Sequence, residues 1–170
     1  NAVGSARLGM NTAIYANIGE DDSGEKIKNQ LEKEGIDTSY VIVNKGMDSN
    51  YSAVLNFEGE RTIFVYHEHR KYVLPKLAPA KWIYLTSMGV GFEKIHKDLV
   101  KYIDKTGAKL VFNPGTFQLR KGPKFNRLIL ERTHMLSINK EEAQSWVGNT
   151  EDFELLAKRL QKLGPQIVVI

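Results

Sequence analysis

The sequence predicts an α/β protein: a doubly wound, mostly parallel, three-layer sheet that carries a small antiparallel β lid. Apolar runs of strand length alternate with amphipathic stretches of helix length, which is typical of parallel sheets with helical crossovers. The runs hold four or five nearly all-apolar residues, as expected for a sheet covered on both faces. The alternation is interrupted once, and we therefore divide the chain into a first core segment (1–38), a lid (39–72) and a second core segment (73–170).

The first core segment contains a strand, a tight turn and a helix. Asn1 to Gly9 is typical of the later part of a helix that stops at Gly9, and an apolar run from Thr12 ends at Gly19. An acidic turn with Asp and Ser caps then precedes an amphipathic helix over residues 25–34. Ligands bind beyond the carboxyl ends of strands in open α/β sheets, so this turn is a candidate site. An ordinary, well-capped strand-to-helix loop explains the same residues.

The lid is predicted from short runs rich in β-branched and aromatic residues: Tyr40–Val43, Tyr51–Phe57 and Arg61–Tyr66. Glu58-Gly59-Glu60 is typical of a hairpin connection between the last two runs.

The second core segment returns to alternating strands and helices. Its predicted elements are a strand at 82–85, a helix at 92–106, a strand at 109–112, a helix from Pro123 to Arg132, a strand at 134–138, helices at 140–147 and 151–163, and a final strand from Ile167.

Composition narrows the function classes. The 24 Lys and Arg residues against 20 Asp and Glu give a net charge of +4, but the basic residues are scattered without interleaved aromatics, so we expect no nucleic-acid partner. No apolar segment reaches the roughly 18 residues that a membrane span needs, so we expect no membrane partner. The chain has no cysteine, which excludes disulfides and Cys-ligated metals and is compatible with the cytoplasmic location that we expect.

Polar residues follow three further predicted strands. Thr86 and Ser87 follow the first, Asn113-Pro114-Gly115-Thr116 the second, and Asn139 the third. Each set has a structural explanation as a loop or helix cap and a functional one as a ligand contact. Asn139 and Glu142 are spaced as a capping box, and the same amide and carboxylate suit a hydrated Mg²⁺ beside phosphates.

Taken in order, several motifs resemble those of the ribokinase-like carbohydrate kinases, the phosphofructokinase-B superfamily. Gly19, Asp21 and Gly24 match a G-x-D-x-x-G element, and residues 59–62 match a hairpin G-E-R-T. Asn113-Pro114 is similar to the family's substrate-side N-P. Asn139 with Glu142 matches its N-x-x-E motif. Further similar segments are Ala6-Arg7-Leu8-Gly9 and Gly35-Ile36-Asp37-Thr38.

The resemblance implies an ATP-dependent kinase that phosphorylates a hydroxyl group of a sugar or a sugar-like molecule such as a nucleoside. The substrate contacts that we expect are Gly19, Ser52, Tyr66, Thr86 and Asn113. Asn139 is expected at the nucleotide, and Glu142 with Asn139 at Mg²⁺ through water. A monovalent-cation requirement and a homodimer through the lid strands stay open.

The family's G-A-G-D element, which holds the catalytic Asp, is expected beyond Ile170. We therefore assign no catalytic residue and expect this chain alone to be inactive. Phe117 stands where many relatives carry an Arg. The alternative function is a non-catalytic carbohydrate- or nucleotide-binding sensor of the same fold.

Overall fold

The computed structural model describes residues 1–170, which form two compact units, residues 1–71 and 72–170. The elements of the first unit are α1 (Ala2–Arg7), β1 (Ala16–Gly19), α2 (Asp22–Lys33), β2 (Val41–Asn44), β3 (Tyr51–Phe57) and β4 (Glu60–Tyr66). Those of the second are β5 (Trp82–Leu85), α3 (Glu93–Thr106), β6 (Lys109–Phe112), α4 (Thr116–Phe125), α5 (Arg127–Leu130), β7 (Thr133–Ser137), α6 (Lys140–Val147), α7 (Phe153–Gln161) and β8 (Ile167–Val169).

In the first unit, β1 and β2 form a parallel pair, and α2 follows β1 after a short turn. The regular strand is shorter than the apolar run predicted, because residues before Ala16 contribute only an isolated bridge between Ala13 and Asp37. The helix begins earlier than predicted, at Asp22, because the Asp21 side chain accepts a hydrogen bond from the Gly24 amide and so caps it.

The predicted hairpin is confirmed. Strands β3 and β4 pair antiparallel from Tyr51↔Tyr66 to Phe57↔Glu60. Glu58 and Gly59 connect them with φ values of 49° and 84°, the left-handed pair that a two-residue type I′ turn requires. Every residue of both strands is exposed, so the hairpin is held by its own ladder and cross-strand contacts rather than by a core.

In the second unit, four parallel strands in the order β5-β6-β7-β8 pack against helices. The core is a continuous apolar cluster in which Leu110, Phe112 and Leu136 of the central strands are fully buried. In β5, the alternate residues Trp82 and Tyr84 are 50% and 43% exposed. No helix is both long and apolar enough to cross a membrane.

The helix predicted from Pro123 to Arg132 does restart at Pro123 after a break at Gly122, but its last helical residue is Leu130 and a further helical segment precedes the break. Helix α4 already begins at Thr116, inside the stretch expected to be a turn, and Gly122 interrupts it with φ 76° and ψ 172°. Pro123 lacks an amide hydrogen and can restart a helical turn but not continue one. The chain therefore forms two short helices, and the second ends at Leu130.

Candidate functional site

The turn after β1 is held by a hydrogen-bonded network around Asp21. One carboxylate oxygen of Asp21 accepts from the Gly24 amide at 2.8 Å and the Ser49 hydroxyl at 2.6 Å, and the other accepts from the Ser49 amide at 2.9 Å. The Ser49 hydroxyl accepts in turn from the Gly19 amide at 2.9 Å. These bonds, the one from the Ser49 hydroxyl above all, lower the pKa of Asp21. Asp21 therefore joins the turn to the segment that follows β2.

Gly19 and Gly24 are required by close backbone approaches at this turn. A Cβ on Gly19 would lie 2.4 Å from backbone atoms of residues 47–49, and one on Gly24 would lie 2.3 Å from the Gly19 carbonyl oxygen. No side chain fits at either position without moving the backbone.

A shallow cleft of about 350 Å³ opens beside this turn. Gly19 and Asp21 line it together with the further carboxylates Glu20, Asp22 and Glu25 and with Lys28. This excess of negative charge disfavours phosphate and is compatible with hydroxyl groups. The Gly19 amide already donates to Ser49, so Gly19 can offer a ligand contact surface there but not its N–H group.

The hairpin does not bring Ser52 and Tyr66 together. Ser52 pairs with Val65 and Tyr66 pairs with Tyr51, so the alternation of a β-strand puts Ser52 and Tyr66 on opposite faces. Tyr66 stacks on Tyr51 with ring centroids 5.1 Å apart, and its hydroxyl donates to Glu68 at 2.7 Å, which raises the pKa of Tyr66.

Arg70 follows the hairpin and is 94% buried, since its exposed fraction is 6%. Its guanidinium donates to the Asp48 carbonyl through Nη2, while Nε and Nη1 have no partner. A buried guanidinium without a carboxylate is costly in free energy. No local pattern in the sequence indicates this arrangement.

In the second unit, the three predicted polar positions lie after the carboxyl ends of adjacent parallel strands β5, β6 and β7. The Asn113 amide donates to the Leu85 carbonyl and its side-chain Nδ2 to the Ser137 carbonyl, each at 2.9 Å. Asn113 thus ties the ends of all three strands together. Thr86 is exposed at the end of β5.

Sequence reasoning missed Gln118, a fully buried residue of α4. Its Oε1 accepts from the Gly115 amide at 2.8 Å, and its Nε2 donates to the Thr86 carbonyl at 3.2 Å and lies 3.4 Å from His96 Nε2. The Gly115 bond could have been anticipated, because Gln three residues after a helix N-cap is a known capping pattern. The other partners of Gln118 are distant in sequence, so no local sequence pattern indicates them.

Asn139 and Glu142 form the predicted capping box at the start of α6. Asn139 Oδ1 accepts from the Glu142 amide at 2.8 Å, and Glu142 Oε2 accepts from the Asn139 amide at 3.1 Å. The second carboxylate oxygen of Glu142 has no protein partner, and the side chain is partly exposed. Capping and magnesium binding therefore use different oxygens of Glu142, and a hydrated Mg²⁺ fits this donor set.

Parallel strands flanked by helices, polar residues at their carboxyl ends and an exposed antiparallel hairpin define a ribokinase-like fold. The structure matches the ribokinase of Arabidopsis thaliana, solved in complex with ribose and ATP, with a TM-score of 0.79 and 21% identity over 98% of this chain and 57% of that one. The profile of pfkB family carbohydrate kinases matches residues 1–170. The chain belongs to the pfkB family of carbohydrate kinases.

Relatives of known sequence are similar over almost the whole chain. An uncharacterized sugar kinase of Archaeoglobus fulgidus is 26% identical over 99% of this chain and 69% of its own length. A fructokinase of Salmonella typhimurium is 23% identical over 99% of this chain and 60% of its own length. The chain thus spans only part of the length of these relatives.

Proposed function

We propose that the protein is an ATP-dependent sugar kinase that transfers the γ-phosphoryl group to a hydroxyl group of a sugar or of a sugar-like molecule such as a nucleoside. The observation that supports this most is the match to a carbohydrate kinase family along all 170 residues. A cytoplasmic location follows from the proposed need for ATP. The transfer assay that tests this proposal also identifies the acceptor.

The proposed acceptor contacts are Gly19 and a lid residue in the first unit and Thr86 and Asn113 in the second. Thr86 offers a hydroxyl group that can donate to and accept from a sugar hydroxyl. Asn113 is held by two hydrogen bonds to strand ends, so the position of its side chain is fixed before a ligand arrives.

The lid contact that we favour is Ser52 rather than Tyr66. The hairpin face with Ser52 carries Asn56 and Arg61 beside the exposed Val54, Ile63 and Val65, so it offers a hydroxyl, an amide and a guanidinium group among aliphatic side chains. The opposite face carries Tyr51, Leu55, Phe57, Phe64 and Tyr66, which are all exposed. A sugar presents hydroxyl groups, and the face with Ser52 offers more polar groups to bind them than the aromatic face does.

Glu142 and Asn139 are the proposed holders of Mg²⁺ and of the nucleotide. The capping box fixes the rotamers of both side chains and leaves one Glu142 oxygen free to accept from a metal-bound water. Mg²⁺, when bound, neutralises charge on the transferred phosphoryl group. We assign no general base within residues 1–170 and propose that this chain alone is inactive.

The test is phosphoryl transfer from ATP by the full-length protein, with and without Mg²⁺, to a panel of free sugars, sugar phosphates and nucleosides. Mg²⁺-dependent transfer to one acceptor class supports the kinase and identifies its substrate. Glu142→Ala should lower this activity at least tenfold at limiting Mg²⁺ while circular dichroism stays native. Folded protein that binds a panel member without transfer would favour the sensor.

We also propose a homodimer through the lid, with a second copy covering the aromatic face of the hairpin. Large exposed apolar patches mark interaction surfaces, and Phe57 and Phe64 are 74% and 58% exposed. This proposal and the choice of Ser52 agree, because they assign the two faces of one hairpin to different partners.

A further inference from the structure

The buried amide of Gln118 uses its full hydrogen-bonding capacity on two loops and one helix. Besides the Gly115 amide, its Oε1 faces the Met88 amide at 3.4 Å, and its Nε2 faces the Thr86 carbonyl at 3.2 Å and His96 Nε2 at 3.4 Å. An amide has two N–H groups and one oxygen with two lone pairs. Each of them has a partner here, so Gln118 is satisfied without any water or ligand.

The partners determine which way the amide points. Two backbone N–H groups face Oε1, and a reversed amide would set its own N–H groups against them. His96 completes the set: burial lowers the pKa of His96 to about 4, so its ring is neutral near pH 7 and Nε2 can accept the second Gln118 proton. The network is therefore closed and uncharged near neutral pH.

Helix capping explains only one of these contacts. The Gly115 bond spans three residues and belongs to the start of α4, whereas Thr86, Met88 and His96 lie 22 to 32 residues away in sequence. The two loops also meet directly: a Cβ on Gly115 would lie 2.1 Å from Ser87 Oγ and 2.7 Å from Ser87 Cα. Gln118 sits behind this contact and bonds to both sides of it.

We infer that Gln118 is a positioning residue for the acceptor, which fixes the loop of Thr86 to Met88 against the loop of Asn113 to Gly115. The inference rests on the proposed function, because Thr86 and Asn113 are its proposed acceptor contacts. Gln118 is fully buried and touches no substrate. Its contribution is to hold two contact residues in one geometry before the acceptor binds.

The test is Gln118→Met in the full-length protein. Methionine has a similar length but leaves the Gly115 and Met88 amides and the Thr86 carbonyl without partners. The KM for the acceptor should rise about tenfold or more, while the KM for ATP changes less than twofold. Amide hydrogen exchange at Gly115 and Met88 should accelerate at least tenfold.

Thr133→Val is the matched control. Thr133 is 1% exposed at the amino end of β7, and its hydroxyl donates to the Ile129 carbonyl at 2.8 Å. The near-isosteric variant loses a buried hydrogen bond in the same unit. That bond lies at the amino end of β7, whereas Thr86 and Asn113 follow the carboxyl ends of β5 and β6. It should lower the unfolding temperature and leave the acceptor KM unchanged.

Gln118→Glu keeps an acceptor for the two amides and removes the donors to the Thr86 carbonyl and His96 Nε2, so its acceptor KM should lie between those of wild type and Gln118→Met. This variant also serves if Gln118→Met does not fold. The inference is overturned if the foldable Gln118 variants keep both the wild-type acceptor KM and wild-type exchange at Gly115 and Met88. If the wild type transfers no phosphoryl group, the proposed kinase fails and with it the acceptor role, whereas exchange still decides whether Gln118 holds the loops.

Discussion

His96 shows how the interior changes the chemistry of a single residue. Its ring lies among Phe92, Phe112 and Gln118, with aromatic centroids at 4.7 and 6.0 Å. Desolvation lowers the pKa of His96 from 6.5 to about 4, although the negative charge of Glu93 offsets a part of this effect. The neutral ring is therefore the form that the folded protein selects.

This selection makes stability depend on pH. The unfolded chain binds a proton on His96 near pH 6.5, whereas the folded chain binds it only near pH 4. The contribution of His96 to the free energy of unfolding is therefore complete above pH 6.5 and is lost as the pH falls toward about 4. The loss is on the order of 3 kcal/mol at most. Urea unfolding at pH 7.5 and 4.5 measures it, and His96→Gln should remove much of the difference. An unchanged pH dependence in the variant would contradict this account.

The opposite orientations of Ser52 and Tyr66 give a second prediction for single residues. Ser52→Ala should raise the acceptor KM of the full-length protein several-fold, as expected for the loss of about one hydrogen bond. Tyr66→Phe removes the hydroxyl that donates to Glu68 and should leave this KM unchanged. The reverse result would assign the aromatic face to the acceptor.

Among the elements, the hairpin β3–β4 carries a local strain at its turn. Glu58 has a φ of 49°, the left-handed region that Asn and Gly adopt more readily than Glu. Glu58→Asn should therefore stabilise the hairpin by about 0.5–1 kcal/mol. Because the hairpin buries little, the effect should be measured as slower amide exchange within β3 and β4. Glu60→Asn, a matched change at the first residue of β4, should not slow this exchange.

The elements also show what the sequence could and could not predict. The bounds predicted for β6 and α6 match the structure to the residue, because the sequence patterns that predict them are local. The start of helix α4 was missed although the Gly115–Gln118 bond at that start spans only three residues, and Gly122 separates this first segment from the helical residues predicted from Pro123. The contacts of Gln118 with Thr86, Met88 and His96 and those of Ser49 with Gly19 and Asp21 could not be predicted, because they cross 22 to 32 residues of sequence. The Asn139–Glu142 box was predictable because both partners lie within one helical turn.

For the whole molecule, the two faces of the hairpin predict how copies of the chain associate. If the aromatic face is covered by a second copy, Phe64→Lys should convert the dimer into a monomer, whereas Ile63→Lys on the face that carries Ser52 should leave it a dimer. Sedimentation velocity at several concentrations measures this difference. A wild-type monomer at all concentrations would refute the dimer, and dissociation by Ile63→Lys alone would reverse the assignment of the faces.

The glycines of the G-x-D-x-x-G element bear on how related sequences are interpreted. Gly19 and Gly24 are needed for steric reasons, and Asp21 serves as a helix cap and a link to Ser49. A descendant that lost catalysis but kept this turn would still need both glycines and a helix cap at position 21. The motif is therefore a marker of architecture, and genome surveys that use it to count active kinases would include inactive members.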